Sequence, residues 1–183
     1  MIGKMITLHS PAFQAYIQAP KSAVYTRLIV VMLGILYGLT GIAANAAFIA
    51  SFESAILRNA IVPLIFILFG LFSVWLTRLG LAVLLWAGAK GFGGPGKISE
   101  LNRTAGVALI PGIMALPALT GMSAGLLITI ALIIGVIWMY FICVKIHEVT
   151  QGFAPWKAYG SVFAVFIFFA SIFYIIMPQG AIN

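Results

Sequence analysis

Apolar residues in this chain come in long unbroken runs, and polar residues gather in the short stretches between them. Leu28 to Ala50 is 23 residues without a charge, long enough to cross a bilayer as a helix. A polar hairpin with Ser51, Glu53, Arg58 and Asn59 follows. The second run, Ile61 to Ala89, is 29 residues interrupted by Arg78. As a helix it would measure roughly 43 Å, more than the hydrocarbon core is thick, so it must tilt or project beyond it. Gly91 to Gly96, with Pro95, breaks the helix, and Lys97 to Arg103 form a polar connector. The third run, Ala105 to Met122, contains Pro111 and Pro117 and predicts a kinked span shielded by its neighbours. A tight turn near Gly121 to Ser123 leads to the fourth run, Ala124 to Val144. A polar segment from Lys145 to Lys157 precedes the fifth, Ala158 to Met177, which ends at Pro178.

The pattern therefore predicts an all-α integral membrane fold of five transmembrane helices. Its parts are a cytoplasmic N-terminal segment (1–27), a five-helix domain (28–177) and a short external tail (178–183). Within the first part, Ser10 and Pro11 read as N-cap and first helical residue. Phe13, Tyr16 and Ile17 share one face, and Pro20 ends the pattern. This predicts a short amphipathic helix on the inner leaflet.

Composition agrees. Of 183 residues, 63% are hydrophobic and 7% charged, against about 25% charged in a soluble domain. The net charge is +7, but its position matters more than its size. With five spans, Lys4, Lys21, Arg27, Lys90, Lys97, Arg103, Lys145 and Lys157 share one side, and Arg58 stands alone on the other. The positive-inside rule then puts the N-terminus in the cytoplasm and the C-terminus outside. Trp156, Tyr159 and Tyr174 fall where interfacial aromatics belong. No signal-peptide pattern precedes the first span, which is expected to act as the targeting signal. No basic run stands free of the apolar segments, so nucleic acid is not an expected partner.

Few residues offer chemistry. Gly34, Gly38, Gly41 and Asn45 share a face of the first span and predict close helix packing, against another span or another subunit. Arg78 is costly within lipid. It is expected to snorkel or pair with Glu100 or Glu148, with Ser73 and Thr77 nearby; a ligand, lipid-phosphate or ion-path role is the alternative. Lys90, Lys97, Arg103, Lys145 and Lys157 are candidate contacts for anionic headgroups or a partner. Gly91 to Lys97 matches part of a phosphate-binding loop, but Ile98 stands where Ser or Thr should ligate magnesium and no strand precedes it. Cys143 and His147 have ligand spacing without a third ligand. With no aspartate and three glutamates, neither a Ser/His/Asp triad nor a cofactor is expected, and the chain reads as non-enzymatic.

The stretch Leu101-Asn-Arg-Thr-Ala-Gly106-Val-Ala-Leu-Ile-Pro111 resembles the start of the third span in the Yip1 family. Ile137-Trp138 through Lys145, His147-Glu148-Val149, Gly152 and Trp156-Lys157-Ala158 resemble the family's fourth span, cytoplasmic turn and fifth-span start. Pro11-Ala-Phe13 and Pro20 are similar to bacterial members. The resemblance implies five spans, a prokaryotic inner membrane and a non-enzymatic role. The eukaryotic Asp-Leu-Tyr-Gly-Pro signature cannot occur here, which argues against Rab-type partners. Membrane organisation, or service as an accessory subunit or self-associating scaffold, is the leading expectation. A small transporter with a polar path near Asn45 and Arg78 is the alternative.

Overall fold

In the computed structural model, residues 1–122 and 125–176 are described, with side chains as far as 172. All regular structure among them is helical. Two short helices, α1 (Ile2–Ile6) and α2 (Ser10–Gln18), precede α3 (Ser22–Ala44) and a brief α4 (Ala46–Ala50). Next, a π turn over Leu57–Ile61 runs straight into α5 (Val62–Gly91). The expected third span is not one helix. It consists of α6 (Ile98–Ala108), a 3-10 stretch (Ile110–Ala115) and α7 (Leu116–Leu119). The chain returns through α8 (Leu126–Gln151) and ends in α9 (Pro155–Ile176).

Four helical segments are long and apolar enough to cross a membrane: Ser22–Ala44, Leu57–Gly91, Leu126–Gln151 and Pro155–Ile172. The third run does not join them because Pro111 and Pro117 interrupt it. Pro111 lacks an amide hydrogen and crowds the preceding turn, so α6 stops and the backbone tightens to 3-10. Pro117 then occupies the first turn of α7, where a missing donor costs little. Even so, the broken segment runs the length of α8. Gly96, just before α6, donates its N–H to Gln151 Oε1 at the end of α8 (2.9 Å), and Pro111 abuts Gly135 midway along it.

Helices α3 and α5 make the closest contact. A Cβ added to Gly38 would lie 2.6 Å from Ile67 Cα, and one on Gly34 2.7 Å from Leu71 Cα. Gly70 of α5 meets the backbone of Gly34 and Gly38 in return. The glycine face is thus used within the chain. Asn45 does not join it: its Nδ2 donates to Gly41 O of its own helix (2.9 Å), where α3 ends.

One face of α5 becomes buried beyond Arg78: Leu68 is 55% and Phe69 58% exposed before it, whereas Leu81 is 2% and Leu85 0% exposed after it, with Val83 (49%) and Trp86 (36%) still facing outward. Helix α8 repeats the change, with buried residues concentrated from Ile142 to Gln151. Around these two helix ends lies the core. Met5, Phe13 and Tyr16 from α1 and α2 pack there with Leu101, Ala105 and Ile146. The apolar face of α2 therefore meets protein. The chain carries outward-facing apolar helices at one level and a packed core at its Lys/Arg-rich end.

Glycine substitutions separate packing from propensity. Gly70→Ala should lower the thermal unfolding midpoint in detergent, with overpacking costing about 1–3 kcal/mol. Gly80→Ala, where an added Cβ meets nothing within 4 Å, should leave the midpoint unchanged or raise it, since Ala is the better helix former by about 1 kcal/mol.

Candidate functional site

Polar side chains converge at the basic end rather than along the apolar spans. Tyr16 Oη donates to Ser22 O at 3.1 Å or shares a hydrogen with Thr26 Oγ1 at 2.7 Å. Thr26 Oγ1 donates to Arg103 O of α6. Close approach of α6 to this spot requires Gly106, whose added Cβ would lie 2.7 Å from Thr26 Cγ2. Burial pushes the Tyr16 phenol above its ordinary pKa, and its hydrogen bond with Thr26 opposes that shift. Tyr16 therefore remains a neutral donor, stapling α2 to α3 and, through Thr26, to α6.

A second knot joins α5, α8 and the glycine-rich connector. His147 is fully buried, and its Nε2 donates to Leu85 O at 3.1 Å, which puts the hydrogen on that nitrogen. Its ring stands edge-on to Phe153, with centroids 5.9 Å apart. Thr150 Oγ1 donates to Ile146 O and accepts from Gln151 Nε2. The connector is held as well as broken: Gly94 N donates to Ala89 O at 2.8 Å, and Gly94 packs under Phe153. Cys143 is buried a turn before His147. Among the described residues no three His, Cys, Asp or Glu side chains gather as a metal site would require.

The five candidate headgroup contacts share this end. Lys90, Lys97 and Arg103 are exposed. Lys145 pairs with Glu148 at 2.5 Å and Lys97 with Glu100 at 3.5 Å. Lys157 lies 5.9 Å from the ring centroids of both Phe153 and Trp156. Both candidate carboxylate partners of Arg78 are thus engaged elsewhere. Across the α3–α5 contact the charged residue level with Arg78 is instead Arg27, of like sign. Thr77 Oγ1 turns to its own helix, donating to Ser73 O at 2.8 Å, and solvates no guanidinium. Tyr174 lies outside the described side chains.

The structure does not bring Asn45 and Arg78 together. Asn45 ends α3 at the opposite end of that helix from Arg27. Between α3, α5 and the broken third segment lies a cavity of about 260 Å³, lined by Leu33, Tyr37, Ser73, Thr77 and Leu116 among others. Its walls are mainly apolar. A second hollow of about 400 Å³ lies by Ile42, Arg58 and Asn59 at the other end.

Sequence reading missed Thr26, Gln151 and the partner of His147. Polar residues flanking an apolar run look like solvated ends, and only the helix faces show that these turn inward. A usable signal existed for Tyr16: it shares a face with Phe13 next to a proline stop. No family model matches the chain, and no curated protein or solved structure is significantly similar to it.

Removing the buried hydroxyl bonds should loosen the basic end. Thr26→Val leaves Arg103 O and Tyr16 Oη short of a partner and should cost about 1–3 kcal/mol, against about 1 for Tyr16→Phe. Thermal unfolding in detergent, with hydrogen exchange in α2 and α6, checks the order.

Proposed function

We propose that this chain is a five-crossing membrane protein of Yip1-like type that organises membrane or serves as an accessory subunit, without catalysing a reaction. The reading places its N-terminus and basic end in the cytoplasm of a prokaryotic cell and its C-terminus outside. The eight-to-one division of Lys and Arg supports that orientation. The broken segment from Ile98 to Leu119 would make the third crossing, its freed backbone groups sheltered by α8 and α3.

One observation favours organisation over transport. The polar groups available for a path lie apart: Asn45 on its own helix, Arg78 beside Arg27, and the Pro111 carbonyl against Gly135. With the glycine face used inside the chain, the outward apolar faces of α5, α8 and α9 are left for lipid or for partner subunits. The cavity between α3 and α5 supports the runner-up, a small transporter, through Ser73, Thr77 and Tyr37 in its wall.

Two measurements test the reading. Cys143 is buried and should stay silent to maleimides in intact cells. An impermeant maleimide should then label Ser54→Cys before lysis and Ser99→Cys only after it; the reverse order contradicts the orientation. For function, native membrane extracts should contain the chain in an assembly larger than the monomer, and proteoliposomes of the pure chain should show no solute or ion flux. A monomer in native membranes, or a flux abolished by Arg78→Leu, contradicts the organising role.

A further inference from the structure

The packing of α3 on α5 sets Arg27 and Arg78 level with each other on adjoining helices. Gly34 abuts Leu71 and Gly38 abuts Ile67, so the helices run antiparallel in one register. Seven residues back from Gly34 is Arg27, and seven residues on from Leu71 is Arg78. Seven residues is about two turns, which returns each helix to nearly the same face. Arg27 and Arg78 therefore stand at one height on adjoining stripes. Arg27 is exposed and Arg78 half-buried. The Arg78 Nε is buried without a hydrogen-bond partner.

Two adjacent positive charges repel, and nothing described in the chain neutralises them. Glu100 and Glu148 are paired with lysines, and Glu53 lies near Arg58 in the hairpin at the far end of α5. Their height is also informative. Arg78 follows Arg58 by 20 residues, roughly 30 Å of helix, which equals the hydrocarbon thickness. If Arg58 marks one headgroup layer, Arg78 marks the other. The buried face of α5 from Leu81 to Ala89 begins just beyond this level.

We propose that Arg27 and Arg78 together bind the phosphate of an anionic phospholipid at the headgroup level of the basic end. Two planar guanidinium forks suit a phosphate, whose oxygens accept paired, charge-assisted hydrogen bonds. The bilayer side of α3 leaves room for the acyl chains, with Leu28 and Val31 exposed beside Arg27. This site rests on the bilayer placement proposed above and adds a ligand to it.

The test uses the full chain, delipidated in neutral detergent, with lipid adducts counted by native mass spectrometry. Phosphatidylglycerol should bind in preference to phosphatidylcholine. Arg27→Gln and Arg78→Gln should each weaken phosphatidylglycerol by about tenfold, the loss expected for a hydrogen bond to a charged group. Arg27→Lys and Arg78→Lys keep the charge but lose the fork, and should fall between wild type and Gln. They also guard against a Gln variant that fails to fold. Equal binding of the two lipids, or an unchanged preference in the double Gln variant, overturns the site. Displacement of the lipid by excess inorganic phosphate also overturns it, making a free anion the ligand. Flotation with phosphatidylcholine vesicles reports separately on bilayer placement: failure to float sinks both readings, whereas flotation without lipid preference sinks only the site.

Discussion

Backbone-to-backbone contact between α3 and α5 is the constraint on which the rest depends. At Gly34, Gly38 and Gly70 no side chain separates the helices, and an added Cβ would meet backbone atoms. Apolar side chains alone give little reason for two helices to associate in lipid, because the tails are as apolar as leucine. Close approach supplies the dispersion contact instead. It also fixes the register. That register sets Arg27 beside Arg78 and turns Thr26 toward α6.

In the proposed bilayer placement, the Arg27–Arg78 level separates two kinds of helix surface. On one side, large apolar residues such as Leu64, Leu68 and Phe72 face outward. On the other, one face of each helix turns into the core, as at Leu81, Leu85, Leu101 and Ile146, while Val83 and Trp86 of α5 still face outward. Buried polar groups are held there by backbone carbonyls, as Thr26 and His147 are. Such a core suits a segment surrounded by water. The excess length of the second apolar run thus forms the central post of this core.

The limits of the apolar runs and the limits of the helices do not coincide. The first run begins at Leu28, but α3 starts at Ser22, since buried Ser22 and Thr26 belong to the helix without being apolar. The fourth run stops at Val144, yet α8 continues to Gln151 and is ended by Gly152 at φ +66°. Proline positions foretold a disturbed third span, but not its division into α6, a 3-10 stretch and α7. The glycine stripe was legible as a packing face; its partner was not, because small residues serve equally within a chain and between chains. Asn45 was misjudged for lack of a local view: a helix-terminal Asn readily bonds its own backbone. The expected pairing of Arg78 with a glutamate failed because Lys97 and Lys145, three residues from Glu100 and Glu148, take them first.

The proposed bilayer placement puts the change from lipid to water along α5 at Arg78. Spin labels placed singly along α5 in bilayer nanodiscs test it most directly, through collision with oxygen and with a water-soluble nickel complex. Labels at Leu64, Leu68 and Phe72 should collide with oxygen and be shielded from nickel, while labels at Val83 and Lys90 should collide with nickel. Oxygen-dominated contact continuing through Val83 to Lys90 would contradict the account.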